Sequence, residues 1–212
     1  MGDVAVGAEP TSGHTVSMDA AGRIRIPRGG ARTAALLRIG LGLMYLWAFI
    51  SQGLGVTYTN VAPTEQPPPS NSAAAEEVQY RWEFGYDADK GWISSGFSHS
   101  PTEAYIEKNA HGPVGALLKA LPTGVTDFGW MFALGGLGIA LTFGLFSRIA
   151  GWGGLILNLM IWGAAFPPSS NPLIDGEHMA FALSILLLMW IQASNYWGFG
   201  RWWRSKVPFW LE

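Results

Sequence analysis

The side chains that could take part in chemistry lie mostly at the edges of long apolar stretches. His178 follows Glu177 directly and comes three residues after Asp175. A neutral imidazole beside a carboxylate can exchange protons near neutral pH, as a quinone reaction requires. His178, Asp175 and Glu177 are therefore candidates for proton exchange. The alternative is that His178 is a residue at a helix start, bonded locally or to water.

Two helical stripes place further polar groups inside apolar stretches. Polar groups in hydrocarbon are costly, so each is a candidate for a site. One stripe has a polar residue at each end and aromatic rings between, and we expect it to face the bundle interior: Arg38, Gly42, Tyr45, Phe49 and Gln52. The other consists of His178, Ala182, Ile185, Met189 and Gln192. The candidate quinone-binding residues are Gln52, Tyr45, Phe49, Arg38 and Gln192.

The first and fourth predicted helices run in opposite directions, so the end of one stripe lies at the same side of the bundle as the start of the other. Gln52 and the group around His178 are expected at one end, and Arg38 and Gln192 at the other. The simpler interpretation of Arg38 is that its side chain extends to the lipid headgroups. Asn158 lies in the middle of another apolar stretch and is expected to form a hydrogen bond between helices.

Charge is distributed unevenly along the chain. Only 13% of the 212 residues are charged, and none lies in 128–147, 149–166 or 179–200. Each gap approaches the roughly 20 residues that a helix needs to cross a bilayer. We predict an all-α membrane protein, a bundle of four transmembrane helices at about 33–54, 126–147, 149–166 and 177–198. Residues 1–32 are predicted to be a disordered tail, and the first stretch has a signal peptide as its alternative.

Basic residues predict the orientation. They precede the first helix, occupy the turn after the second and follow the fourth: Arg23, Arg25, Arg28, Arg32, Arg148, Arg201, Arg204 and Lys206. By the positive-inside rule both termini are cytoplasmic, including an aromatic and basic tail at 201–212. The long loop 55–125 is then extracytoplasmic.

The outer loop has three predicted parts. Residues 63–75 are rich in Pro, Ser and Ala and indicate a flexible linker. The aromatic residues of 80–97 are expected on the outer membrane surface or over the bundle, with a partner or substrate surface as the alternative. Helix starts are predicted at Pro101 and at Pro113, the second opening an amphipathic segment that lies in the outer interface.

Composition excludes several kinds of chemistry. The chain has no cysteine, which excludes disulfide exchange, thiolate catalysis and Cys-ligated metals in this chain. The net charge is −2, which favours no nucleic-acid partner. No phosphate-binding loop or haem-ligand pattern is visible, and we predict no metal site.

Three motifs carry a resemblance to a known family. They are Leu37-Arg38-Ile39-Gly40-Leu41-Gly42, then Ser100-Pro101-Thr102-Glu103-Ala104-Tyr105 with Gly112-Pro113-Val114, and Asn171-Pro172-Leu173-Ile174-Asp175-Gly176-Glu177-His178-Met179. With the helix order, they make residues 33–203 resemble the DoxX/DoxD family of small four-helix membrane proteins. That family includes the membrane subunit of thiosulfate:quinone oxidoreductase.

The resemblance implies a place in a bacterial plasma membrane beside the quinone pool. One hypothesis is an oxidoreductase subunit that passes electrons from thiosulfate, or a related donor, to quinone as its substrate, with no cofactor of its own. The other is a non-catalytic accessory subunit of a larger respiratory complex, docked through its helices and its outer loop. The outer loop looks longer than a minimal member of that family needs. This added length favours a surface for a partner.

Overall fold

The computed structural model of the chain describes residues 28–61, 81–167 and 177–208. The predicted tail up to residue 27, the predicted linker 63–75 and the candidate Asp175 lie outside these residues. The helices of the described chain are α1 (Arg28–Leu54), α2 (Glu103–Asn109), α3 (Pro113–Ala120), α4 (Thr123–Phe143), α5 (Ser147–Ala164), α6 (His178–Trp190) and α7 (Gly200–Arg204). Two strands, β1 (Val56–Val61) and β2 (Arg81–Tyr86), form an antiparallel pair.

Two helices are long and apolar enough to cross a membrane. They are α1, with 27 residues, and α4, with 21. Helix α5 has 18 residues and α6 has 13. At a rise of about 1.5 Å per residue, α6 is roughly 20 Å long and covers less than a full hydrocarbon core. The chain is therefore mostly helical with two candidate membrane-spanning helices.

The predicted fourth helix is too long at its C-terminal end. The sequence predicts it to about residue 198, but α6 ends at Trp190 and the chain turns at Gln192, whose φ is +54°. A short 3-10 turn follows at Ala193–Asn195, and the amide of Asn195 donates to the Gln192 side chain. The left-handed backbone at Gln192 cannot continue a right-handed helix, so α6 stops here.

Some glycines allow the long helices to pack closely. A Cβ at Gly42 would lie 2.5 Å from the Thr142 backbone nitrogen, and one at Gly138 would lie 2.7 Å from Leu46. Helices α1 and α4 thus run antiparallel in close contact. Gly154 meets Ile185 in the same way, which joins α5 to α6. Small residues permit such backbone approach where helices have no hydrophobic force to join them.

The segment predicted as an outer loop contains ordered structure. The hairpin of β1 and β2 follows α1 directly, which the sequence did not predict. Its rings pack back on α1, with Tyr58 and Phe84 centred 6.5 Å and 6.4 Å from the Trp47 ring. Beyond the hairpin, Asp87 begins a short turn in which a hydrogen bond to the Lys90 ammonium lowers the pKa of its carboxyl. Helices α2 and α3 then begin close to the predicted starts.

The aromatic segment 80–97 divides between core and surface. Trp92 packs against the hydrophobic core, and its amide donates to the Gln52 carbonyl at 2.8 Å. Phe84 and Tyr86 are exposed over 74% and 69% of their surface. Part of the segment therefore caps the bundle, as expected, and part presents aromatic rings outward.

Candidate functional site

A pocket of about 360 Å³ opens between α4 and α5, beneath α2 and α3. Its wall is apolar apart from a few hydrogen-bonding groups on Thr102, Tyr105, Thr126 and Trp130. The apolar lining consists of Ile106, Leu118, Leu121, Val125, Gly129, Ala133, Gly153, Ile156, Leu157, Met160 and Ile161. Mostly apolar concavities with a few polar groups are the usual binding sites for small molecules.

Two glycines leave room for the pocket. Gly129 on α4 and Gly153 on α5 both line it, and a Cβ at either position would meet nothing within 4 Å. A groove between α4 and α5 results, and α3 packs on α5 nearby, where Val114 lies against Gly163.

Two polar groups of the pocket wall are held in place by hydrogen bonds. Trp130 Nε1 donates to Gln52 Oε1 at 2.6 Å, and the Tyr105 hydroxyl donates to the Ile161 carbonyl at 3.3 Å. Gln52, a candidate from the sequence, therefore orients a ring of the pocket wall instead of lining the pocket itself. Tyr105 links α2 to α5 across the pocket.

A buried carboxylate lies beside the pocket. Asp127 on α4 is 4% exposed, and its Oδ1 accepts hydrogen bonds from Ser100 Oγ at 2.7 Å, Thr102 Oγ1 at 2.6 Å and Thr102 N at 3.3 Å. The Thr102 and Thr126 hydroxyls, 3.1 Å apart, both reach the pocket wall. Through these hydrogen bonds Asp127 fastens the start of α2 to α4.

Sequence reasoning missed Asp127. The available signal was a single acidic residue at the beginning of an apolar stretch that is otherwise uncharged for 20 residues. The hydroxyls that bind it come from Ser100 and Thr102, some 25 residues earlier in the chain, and no local pattern predicts that pairing.

A second, smaller cavity of about 190 Å³ adjoins the pocket on its α2 and α3 side. It shares Ile106, Leu118, Leu121 and Thr126 with the pocket and adds charged groups: Glu103, Glu107 and Lys119. The two cavities together give an apolar interior with a charged mouth.

Tyr45 and Phe49 belong to helix packing. The Asn158 amide donates to the Tyr45 hydroxyl and to the Gly154 carbonyl, both at 2.7 Å, and Asn158 is 1% exposed. This confirms the predicted hydrogen bond between helices. The Phe49 ring lies against Gly135 on α4. Both rings face the interior, as the stripe predicts, but neither is among the residues that line the pocket.

Arg38 does not extend to the headgroups, so that interpretation is wrong. Its side chain is 3% exposed, and Nη2 donates to the Trp197 carbonyl in the turn between α6 and α7. Gly144 and Gly198, both at positive φ, allow the backbone to approach this guanidinium. The chain therefore folds over Arg38 and buries it.

Gln192 and His178 lie at opposite ends of the last long helix. Gln192 Oε1 accepts from Arg204 Nη1 at 3.3 Å, which ties the turn after α6 to α7. His178 is the first residue of α6 and is half-buried, while Glu177 before it is exposed. Among the described residues, no group of three or more His, Asp or Glu side chains is arranged to hold a metal ion.

No protein-family model, curated protein or solved structure matches this chain. The resemblance to DoxX/DoxD proteins therefore stays a prediction, and the site is assessed on its own geometry.

Proposed function

We propose that the chain is an integral membrane protein of four helices that binds a quinone in the pocket between α4 and α5. The other parts of the proposal follow from the DoxX/DoxD resemblance: a bacterial plasma membrane, cytoplasmic termini, and oxidation of thiosulfate or a related sulfur donor. With thiosulfate as the donor, two thiosulfate ions join through a new S–S bond to form tetrathionate and release two electrons, and the quinone takes these electrons with two protons to become a quinol.

The outer surface of the bundle supports the membrane part of the proposal. Each of α1, α4, α5 and α6 exposes large apolar side chains, among them Met44 at 53%, Phe132 at 71%, Ile156 at 56% and Leu183 at 63%. A helix that is apolar on all sides belongs in a membrane or in the core of a large protein. Helix α5 and the shorter α6 would then complete the spans that α1 and α4 begin.

The pocket is the observation that carries the quinone proposal. Its apolar wall lies along two of the proposed spans, so an isoprenoid tail can reach it from the hydrocarbon. Trp130, Thr102 and Thr126 are polar groups of its wall. The Trp130 N–H already donates to Gln52 and the Thr102 hydroxyl to Asp127, so a bound quinone oxygen would have to compete with those acceptors. Gln52 contributes by fixing Trp130.

Proton exchange is assigned to His178 with Asp175 or Glu177, as the sequence suggests. His178 begins α6 at the same end of the bundle as Gln52 and Asp127, because α1 ends there and α4 and α6 begin there. That end also carries the charged mouth of the pocket, which offers protons a route to water.

Filling the pocket tests this function. Gly153→Leu places a side chain in open space inside the pocket, and Gly136→Leu makes the same change at an open position of α4 that does not line it. We expect a short-chain quinone analogue to bind the purified protein and Gly136→Leu equally, and Gly153→Leu at least about tenfold more weakly, since a blocked site loses its contacts. Equal binding by all three, or by none, would contradict the proposal.

Activity is measured on the same preparations. Thiosulfate-dependent quinone reduction by the isolated chain, lost in His178→Ala and in Gly153→Leu, is the expected result for an oxidoreductase subunit. Quinone binding without reduction in any preparation would exclude catalysis by the isolated chain.

The accessory role is favoured by one feature of the hairpin. Phe84 and Tyr86 expose most of their rings on β2, in the loop where the sequence predicts a partner surface. We propose that this face contacts an extracytoplasmic subunit if the chain is part of a respiratory complex. Purification in mild detergent should then recover a stoichiometric partner from the wild type and lose it in a Phe84→Ser, Tyr86→Ser variant.

A further inference from the structure

Asp127 is a buried carboxylate that the proposed reaction does not use, and one of its hydrogen-bond partners belongs to the wall of the pocket. Asp127 is 4% exposed and Thr102 is 7% exposed. The Thr102 hydroxyl donates to Asp127 Oδ1 at 2.6 Å and lies 3.1 Å from the Thr126 hydroxyl, and both threonines line the pocket. A titratable group is therefore separated from the pocket by a single side chain, that of Thr102.

The other side of Asp127 leads toward water. The Ser100 hydroxyl donates to the same Oδ1 at 2.7 Å, and Ser100 is partly exposed. Ser100, Asp127 and Thr102 thus form a continuous chain of hydrogen bonds from a partly exposed hydroxyl to the pocket wall. Hydroxyl groups both donate and accept hydrogen bonds, so such a chain can pass a proton along its length.

The direction of the Thr102 hydrogen bond depends on the charge of Asp127. An ionised carboxylate only accepts, so it keeps the Thr102 proton turned away from the pocket. A protonated carboxyl has a proton to donate, and Thr102 Oγ1 can accept it. The Thr102 hydroxyl is then free to donate to a ligand in the pocket. Protonation of Asp127 would thus remove the competition between its carboxylate and a quinone oxygen for the Thr102 proton.

We propose that Asp127 takes up a proton when the quinone binds and supplies it to a quinone oxygen through Thr102, an inference that rests on the proposed function. As the bound quinone accepts the electrons of the sulfur donor, the Thr102 proton passes to the quinone oxygen and forms its new O–H bond. The Asp127 proton passes to Thr102 Oγ1, and Asp127 returns to a carboxylate that water can reprotonate through Ser100. A quinol carries its hydroxyls on opposite sides of the ring, so this path serves one oxygen and the group around His178 serves the other.

Other titratable groups must be separated from Asp127 in any test. Titratable and charged groups that line the adjoining cavity or begin α6 lie at the same end of the bundle: Glu103, Glu107, Lys119, Glu177 and His178. Glu107→Gln provides a matched control for Asp127→Asn, because it makes the same change from acid to amide in the cavity beside the pocket.

Proton uptake on binding tests the inference. Binding of a decyl-tailed benzoquinone to the full chain in detergent is measured near neutral pH by titration calorimetry, in buffers that differ in their heat of ionisation. We expect the wild type to take up as much as about one proton per quinone, since linkage ties uptake to the change in protonation of a single group. Glu107→Gln should take up as much as the wild type, and so should Thr102→Ser, which keeps the hydroxyl. Asp127→Asn and Thr102→Val should bind the quinone and lose this uptake.

The result separates this inference from the proposed function. Quinone binding without proton uptake by the wild type, or with uptake that persists in Asp127→Asn and Thr102→Val, overturns the inference and leaves the quinone pocket standing. A purely structural role of Asp127 would change stability but not proton uptake. Absence of binding by the wild type contradicts the proposed function, and the inference falls with it. If Asp127→Asn does not fold, Thr102→Val decides alone, because it leaves the carboxylate and its bond to Ser100 in place.

Discussion

Single polar residues organise each end of this bundle. Asp127 gathers the donors of Ser100 and Thr102 at one end, and Arg38 reaches the Trp197 carbonyl at the other. Both side chains are at least 96% buried. Both therefore join distant segments of the chain, since each pairs an element of the bundle with a loop or turn far away in sequence.

Removing the Asp127 carboxylate should release α2 from α4. Asp127→Ala leaves the Ser100 and Thr102 donors without an acceptor, and we expect a loss of about 3 kcal/mol, since each buried unpaired donor costs roughly 1–3 kcal/mol. Asp127→Asn keeps an acceptor oxygen and should lose less. Chemical or thermal unfolding in detergent measures both. Equal stability of Asp127→Ala and the wild type would contradict the assigned role.

At the scale of the element, glycine positions decide how helices meet. Gly42 and Gly40 lie two residues apart on α1, yet a Cβ at Gly42 would meet Thr142 while one at Gly40 would meet nothing within 4 Å. The sequence shows both glycines in the same short motif. Only the facing helix distinguishes the one that packs from the one that faces outward.

These two positions give a matched pair of variants. We expect Gly42→Ala to destabilise the protein by about 1–3 kcal/mol, because an inserted methyl in a tight contact forces the helices apart. Gly40→Ala should be neutral or stabilise by up to about 1 kcal/mol through helix propensity. The test is to measure the free energy of unfolding of each variant in the same detergent and to compare the two values. Equal values would show that α1 and α4 do not pack as described.

At the scale of the whole molecule, four antiparallel helices separate two chemically different ends. One end has the hairpin, the described carboxylates and the mouth of the pocket, and the other has the basic residues and the turn over Arg38. For the proposed membrane protein this asymmetry predicts that the basic end lies on the cytoplasmic side, by the positive-inside rule.

The absence of native cysteine makes this topology directly testable. Ser98→Cys lies in an exposed position of the outer segment, and Ser205→Cys follows α7 at the basic end. In intact cells, an impermeant maleimide should label Ser98→Cys alone, whereas both should react after lysis. Labelling of Ser205→Cys alone would reverse the orientation. Labelling of both in intact cells would exclude an odd number of spans between the two positions.

The sequence by itself determined the helical class and, except for the C-terminal end of α6, the positions of the long apolar helices to within a few residues. These follow from hydrophobicity and residue size, which act locally and repeat along a helix. It also predicted the hydrogen bond of Asn158, since a lone amide in an apolar stretch must find a partner.

Tertiary structure decided the rest, because the remaining features depend on contacts between segments far apart in the chain. The hairpin behind α1, the early end of α6, the burial of Arg38 and the pairing of Asp127 with Ser100 and Thr102 have no periodic signal. The pocket arises where Gly129 and Gly153 lack side chains on two facing helices. A cavity is a property of two surfaces together, so neither helix predicts it alone.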